Sequence, residues 1–217
     1  MPDLRTPGLD VSKFQPTVDW AKVAAAGMKF VFARASYGTG AATEPLFKSH
    51  WQGAKAAGLI RGAYHFFVPT SDARAQAQLF LSQVRSAIAP GETDYLPAVI
   101  DVEMQPGNVP AADYVGGIEA WIAAVEADPL FVGRKTIIYT TASFWATLGN
   151  PAGFGDHPLW VADYSKDPPR MPKGWASYAF FQKSQEGTVN GIAGKIDIDF
   201  FNGDIDVLIA MTAPLTV

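Results

Sequence analysis

Asp101 and Glu103 are the two residues of this chain best placed by type and spacing to do chemistry together. They close the apolar run Leu96-Pro97-Ala98-Val99-Ile100-Asp101-Val102-Glu103 at i and i+2. Pro97 and the following Pro106-Gly107-Asn108 cluster bound the run, so it reads as a buried strand. Side chains alternate along a strand, so both acids point to one side, roughly 7 Å apart along the backbone. Two acids on one face of a buried strand are costly and call for a reason. Glycosidic-bond hydrolysis supplies one. It needs a proton donor for the leaving oxygen and a second acid for the other side of the sugar ring. Crowded like charges raise one pKa, so one of the two groups keeps its proton near neutral pH. Glu103 has the longer reach and is the better donor. Asp101 is then expected to stay ionised and to stabilise positive character on the sugar or its acetamido group.

The elements that must position this pair alternate between strand and helix. Strands are expected at Gly8–Val11, Lys29–Ala35, Ile60–Val68, Leu96–Glu103, Lys135–Thr140, Pro158–Tyr164, Tyr178–Lys183 and Lys195–Phe201. A helix from about Val18 to Ala26 follows Thr17 as a candidate N-cap. Phe47, Trp51, Ala54 and Gly58 have helical spacing, with Pro45 near the first turn. Ala77, Phe80, Leu81, Val84 and Ile88 mark a helix entered at Ser71 or Asp72, and Tyr114, Ile118, Trp121, Ile122 and Val125 mark another. After Tyr164 a turn-rich break at Pro168, Pro169, Pro172 and Gly174 leads into strands with no long helix between them. Regular βα alternation suggests a parallel sheet closed into a barrel, with a helical ring left incomplete near the C-terminus. No repeat or linker divides the chain, and its 217 residues suit one domain.

Four of the apolar runs end in acids: Asp10, Asp101 with Glu103, Asp163, and Asp197 with Asp199. In a parallel barrel the C-terminal strand ends meet on one face, where loops build active sites. Rim acids can equally cap helix N-termini.

Composition narrows the classes. The chain is 48% hydrophobic, with no apolar stretch long enough to cross a membrane. The first seven residues, Met1 to Pro7, lack an apolar signal region, so no secretory leader is expected in this chain. Cys is absent, which excludes disulfides, thiol catalysis and Cys-based zinc sites. His50, His65 and His157 show no metal-ligand spacing, so no metal and no cofactor are expected. A net charge of −4 without a basic run argues against nucleic acid and against a grip on anionic surfaces.

At these residues the chain resembles the glycoside hydrolase family 25 lysozymes, the Chalaropsis-type muramidases. The resemblance covers about residues 8 to 204. It rests on Gly8-Leu9-Asp10-Val11-Ser12, Arg61-Gly62-Ala63-Tyr64-His65-Phe66, Asp101-Val102-Glu103, Ile138-Tyr139-Thr140, Leu159-Trp160-Val161-Ala162-Asp163-Tyr164 and Ile196-Asp197-Ile198-Asp199-Phe200-Phe201-Asn202-Gly203, in that order. It implies an α/β fold, a TIM-like barrel of eight strands with a reduced helix set, (β/α)5(β)3. It implies a single catalytic domain over 1–217 and cleavage of the β-1,4 bond between N-acetylmuramic acid and N-acetylglucosamine in peptidoglycan. Such an enzyme acts on the bacterial cell wall, extracellularly or after release by a phage as an endolysin, and is expected to be a monomer. The resemblance assigns the general acid to Glu103, its partner to Asp101, the first-strand acid to Asp10 and the last-strand acid to Asp197, with Asp199 the lesser match. Where the family often has Trp-Gln in the late strand, this chain has Phe181-Gln182.

Other residues carry two readings each. Tyr64, Phe66, Tyr139, Trp160 and Tyr164 could stack on sugar rings or pack the rim, and the resemblance favours sugar contact for Tyr64, Tyr139, Trp160 and Tyr164. Gln182 could bond a sugar hydroxyl or satisfy the barrel interior. His65 reads as a hydrogen-bonded core histidine, Arg34 as the partner of a rim acid, and Trp20, Trp51, Trp121 and Trp145 as core. Competing functions are a chitinase-like N-acetylhexosamine glycosidase, a non-catalytic glycan-binding barrel and a metal-dependent hydrolase. The first would want further acids where Pro97 and Val99 stand, the second has no use for a repulsive Asp-Glu pair, and the third would want His ligands.

Overall fold

The computed structural model of the chain describes residues 5–40 and 44–212. Met1–Leu4, part of the stretch read for a leader, lie outside them. Eight strands close a barrel in sequence order: β1 (Thr6–Val11), β2 (Phe30–Tyr37), β3 (Ile60–Phe66), β4 (Val99–Asp101), β5 (Ile137–Thr140), β6 (Leu159–Ala162), β7 (Phe180–Gly187) and β8 (Ile196–Phe201). Helices α1 (Trp20–Ala25), α2 (Phe47–Ala56), α3 (Ala73–Ala87), α4 (Ala111–Glu126) and α5 (Ala142–Thr147) follow the first five strands, and a short α6 (Ile205–Ala210) follows β8. The eight-stranded barrel with a reduced helix set is therefore present, and the turn-rich segment after Tyr164 is where the helical ring stops.

The sheet is not wholly parallel. Neighbours from β1 to β7 run parallel, but β8 is antiparallel to both β7 and β1. No helix joins β7 to β8, and so short a connection can only return the chain in the opposite direction. Two local expectations also change. Helix α1 begins at Trp20 with Asp19 as its N-cap, the carboxylate accepting from Lys22 N, so Thr17 is not the cap. Asp72 is the entry residue of α3, accepting from Ala75 N. Regular pairing in β4 is confined to Val99–Asp101, and Glu103 stands on the loop just beyond it. Pro97, with no N–H to give, stands among the residues before the pairing starts.

Strand alternation splits the core in two. Val31, Ala33, Ile100, Ile138, Val161 and Phe181 face outward and pack against helices that contribute Trp51, Phe80, Trp121 and Trp145. Phe30, Phe32, Val99, Ile137, Trp160, Phe180 and Phe201 face inward and fill the barrel. The inner layer is largely aromatic: Phe32 stacks on Trp160 at 4.4 Å between centroids, and Phe180 meets Phe30 and Phe201 at 5.4 and 5.1 Å. Rings of this size fit because their neighbours are glycines, since a methyl group at Gly8 or Gly62 would overlap Phe30 or Phe32. His65 points outward, as a core histidine should, between Ser36 Oγ (2.8 Å) and Gln76 Oε1 (3.0 Å).

Overpacking at this layer is a direct test of its tightness. Gly62→Ala should destabilise the fold by about 1–3 kcal/mol, read as a lower urea midpoint with unchanged slope. An unchanged midpoint would mean that Phe32 has room to move.

Candidate active site

The inward columns that carry aromatics at the barrel centre carry polar groups one step higher. Phe32 is followed on its face by Arg34, Val99 by Asp101, Ile137 by Tyr139 and Phe180 by Gln182. Gly8 is followed by Asp10. On β8 the order is reversed, because the strand runs downward: Asp197 comes first, then Asp199, then Phe201. Asp197 pairs in register with Asp10, and Asp199 with both Gly8 and Gln182. Asp197 thus reaches the rim from the N-terminal end of its strand, not from a C-terminal end as the parallel reading had it.

These groups open into a cleft of about 240 Å³ lined by Asp10, Asp101, Glu103, Asp197, Tyr64, Tyr139, Trp160, Tyr164 and Gln182, with Arg34 and Phe14. Nine of the ten residues expected from sequence meet there. The exception is Asp199, which is 0% exposed, sits beneath the cleft and accepts from Trp160 Nε1 at 2.9 Å. Asp163 is also outside it. Arg170 and Ser165 wrap its carboxylate with hydrogen bonds of 2.7–3.1 Å, and those from Arg170 above all hold its pKa well below the usual range. It is a structural acid that orders the break after β6.

Gln182 is the hub of the rim. Its Nε2 donates to Asp10 Oδ2 at 2.7 Å, and its Oε1 accepts from Tyr139 and Tyr164 hydroxyls at 2.7 and 2.6 Å. Burial raises both phenols, Tyr164 to about 12, so they keep the protons they donate. Tyr164 is 49% exposed and offers its ring to the cleft. Phe181, the departure from the family's Trp-Gln, faces the outer core and touches no cleft.

The acids crowd each other. Burial raises Asp10 to about 8, helped by Asp197 and Glu103. Asp101 is raised well above a free carboxyl by burial and then by Glu103 and Asp10. Burial, then Asp10, does the same to Asp199. Glu103 and Asp197 are also raised, first by burial. Asp101 Oδ1 is buried without a hydrogen-bond partner among the described residues, which a neutral carboxyl tolerates better than a carboxylate. The depth of Asp101 therefore favours its neutral form and not the ionised one expected, while Glu103, raised as well, is the member open to the cleft. Arg34 draws both values down while bonded to Glu44 at 2.6 Å, the rim-acid pairing expected of it.

Sequence reasoning missed Phe14, Gln15 and Gln185, all of which line the cleft. Phe14, 71% exposed, lies three residues past the end of β1, on the rim side where barrel loops gather. Gln185 was missed because β7 runs on to Gly187. Among the described residues no group of His, Asp and Glu is arranged to hold a metal ion.

Comparison with known proteins agrees with this geometry. The family model described as glycosyl hydrolases family 25 matches residues 9–192. Lysozyme M1 of Streptomyces globisporus is 35% identical over 209 residues, covering 94% of this chain and 70% of that one. An N,O-diacetylmuramidase of a Chalaropsis species is 33% identical over 213 residues, covering 93% and 96%. The crystal structure of a bacterial lysozyme from Streptomyces coelicolor superposes with a TM-score of 0.85 at 33% identity, covering 95% and 96%.

The raised acids have a thermodynamic signature. Between pH 3.8 and about 8 the folded chain holds the Asp10 proton and the unfolded chain does not. Stability from this group is full below that window and is lost as pH rises through it. Asp10→Asn should therefore melt higher than the parent at the upper end of the window, with the gap closing toward the lower end, by calorimetry. Identical pH slopes would mean that Asp10 is ionised in the native state.

Proposed function

The chain belongs to family 25 of the glycosyl hydrolases, and we propose that Glu103 is the proton donor of its reaction. The protein is a lysozyme that hydrolyses bacterial peptidoglycan, with the cell wall as its place of action, extracellularly or after release. Family membership favours this over a chitinase-like enzyme. A glycan-binding barrel would have no use for a crowded set of acids that burial makes costly.

The observation that carries the donor assignment is exposure. Glu103 is open to the cleft, while Asp10 and Asp101 are only 7% and 6% exposed. A donor must touch the glycosidic oxygen, and Glu103 reaches furthest into the space a sugar would fill. Its pKa is already raised, and a bound glycan that displaces water raises it further. Neutral Asp101 behind it adds no negative charge of its own. In the reaction the bond from C1 of N-acetylmuramic acid to O4 of N-acetylglucosamine breaks. The Glu103 proton goes to O4, water supplies the hydroxyl that ends on C1, and the remaining proton of that water returns to the Glu103 carboxylate. Asp197, partly exposed beside the same space, is the group that stabilises positive charge growing at C1, and Asp10, held by Gln182, lies in register beside it. Tyr64, Tyr139, Trp160 and Tyr164 wall the sugar, and Gln182 fixes the acid and the phenols. Asp199 supports from below through Trp160.

A single barrel of about residues 8–204 is the catalytic unit in this reading. Because one chain carries all of these acids, it acts as a monomer, which light scattering during turnover can check.

Glu103→Gln should lower clearing of purified cell walls by about 10²–10⁴-fold, and Asp101→Asn should also reduce it sharply. Near-normal clearing by the Gln variant would remove Glu103 from the donor role. Mass spectrometry of the digest should show new reducing ends on muramic acid; ends on glucosamine would overturn the bond assignment.

A further inference from the structure

Among the described residues that line the acid cleft, Arg34 is the one cation against four carboxyl groups, Asp10, Asp101, Glu103 and Asp197. We propose that Arg34, held by Glu44, is a positioning residue for the donor: its single positive charge, partly offset by Glu44, sets the upper pH limit of the reaction by fixing how long Glu103 keeps its proton. The inference rests on Glu103 being the proton donor.

The cation is built into the fold. The Arg34 side chain is only 10% exposed and that of Glu44 only 2%. Burying an ion pair takes both charges out of water, and apolar residues of like size would often be as stable, so the pair calls for a use beyond stability. Glu44 divides its carboxylate between two donors. Oε1 accepts from Arg34 Nε at 2.6 Å, and Oε2 accepts from Lys13 N at 3.1 Å, on the loop after β1. Both oxygens accept, so Glu44 is ionised. Its backbone carbonyl accepts from Phe47 N at the start of α2, which ties the pair to the outer layer. Arg34 bonds none of the four cleft carboxyls. It therefore acts on them by charge across the cleft and not by contact.

No other group that faces Glu103 can take this part. Any charge on Asp10, Asp101 or Asp197 is negative and favours the protonated donor. The phenols of Tyr64, Tyr114, Tyr139 and Tyr164 are all raised by burial and stay neutral. The α5 side of Glu103 offers Thr141, Ser143, Phe144 and Thr147, none of them ionisable. Arg34 alone pulls the donor down, against burial and Asp197. Glu44, as its counter-ion, weakens that pull.

The test is the pH profile of kcat/KM on purified glycan strands, whose alkaline midpoint reports loss of the donor proton in the free enzyme. Arg34→Met should move that midpoint up by about half to one pH unit, because the protonated donor is no longer opposed. Arg34→Lys restores the charge and should return the midpoint to the parent value. Glu44→Gln leaves the cation without its counter-ion and should move the midpoint down. A merely structural role would lower kcat/KM at every pH and move no midpoint. Arg34→Met combined with Glu44→Gln removes both charges together. It should move the midpoint up, and it decides the matter if a single variant does not fold. An unmoved midpoint in folded Arg34→Met, or a shift in the same direction for Arg34→Met and Glu44→Gln, would overturn the inference. Glu103→Gln is run alongside. If it retains glycan cleavage, the donor assignment fails, whatever the Arg34 variants do. If it loses glycan cleavage, the donor assignment stands and the Arg34 and Glu44 variants alone decide the inference.

Discussion

Carboxyl groups buried over an aromatic plug are the constraint around which this molecule is arranged. The barrel interior beneath them is filled by Phe30, Phe32, Trp160, Phe180 and Phe201, so nothing below Asp10, Asp101 and Asp199 can solvate a charge. Each acid must find a protein donor or keep its proton. Gln182 reaches Asp10 and Trp160 reaches one oxygen of Asp199, yet burial still raises both acids, and Asp101 has only the distant influence of Arg34. The plug also explains the small residues around it. Gly8 and Gly62 are the space that Phe30 and Phe32 occupy, so glycine in these strands and charge at the rim are two sides of one packing problem.

Two irregularities of the sheet aim the side chains that matter. The reversed β8 brings Asp197 opposite Asp10 in register. A register shift between Arg34 and Ser36 in β2 adds one residue against β3. Such a bulge re-aims side chains at a rim. Arg34 turns into the cleft toward Glu44, and Ser36 is left to bond His65 on the outside.

Much of this was legible in the residues. Strand alternation from Val99 to Glu103 fixed the common side of the acid pair, and the other rim acids followed from apolar runs that end in carboxylates. What was not legible depends on partners distant in sequence. Nothing near Asp163 announces that Arg170 and Ser165 will claim it, and its run looks no different from that of Asp10. Asp197 was placed at the rim for the wrong reason, since strand direction is set by a connection and not by the strand's own residues. The charge on Asp101 turned on depth: spacing says that two acids are near each other, but only the fold says which has water. Gln182 could be read two ways because an amide satisfies either a sugar or a protein, and its bonds to Tyr139, Tyr164 and Asp10 join residues far apart in sequence.

The pairing of β1 with β8 also sets when this protein comes alive. Of the eight strands the first in chain order has the last as its hydrogen-bonding partner. Contacts of such long sequence separation form late, and no earlier intermediate can close the barrel. Asp10 has no Asp197 across from it until then. A barrel that lacks β8 therefore lacks one side of this acid pair, and the rim is assembled in a single event, the docking of that strand.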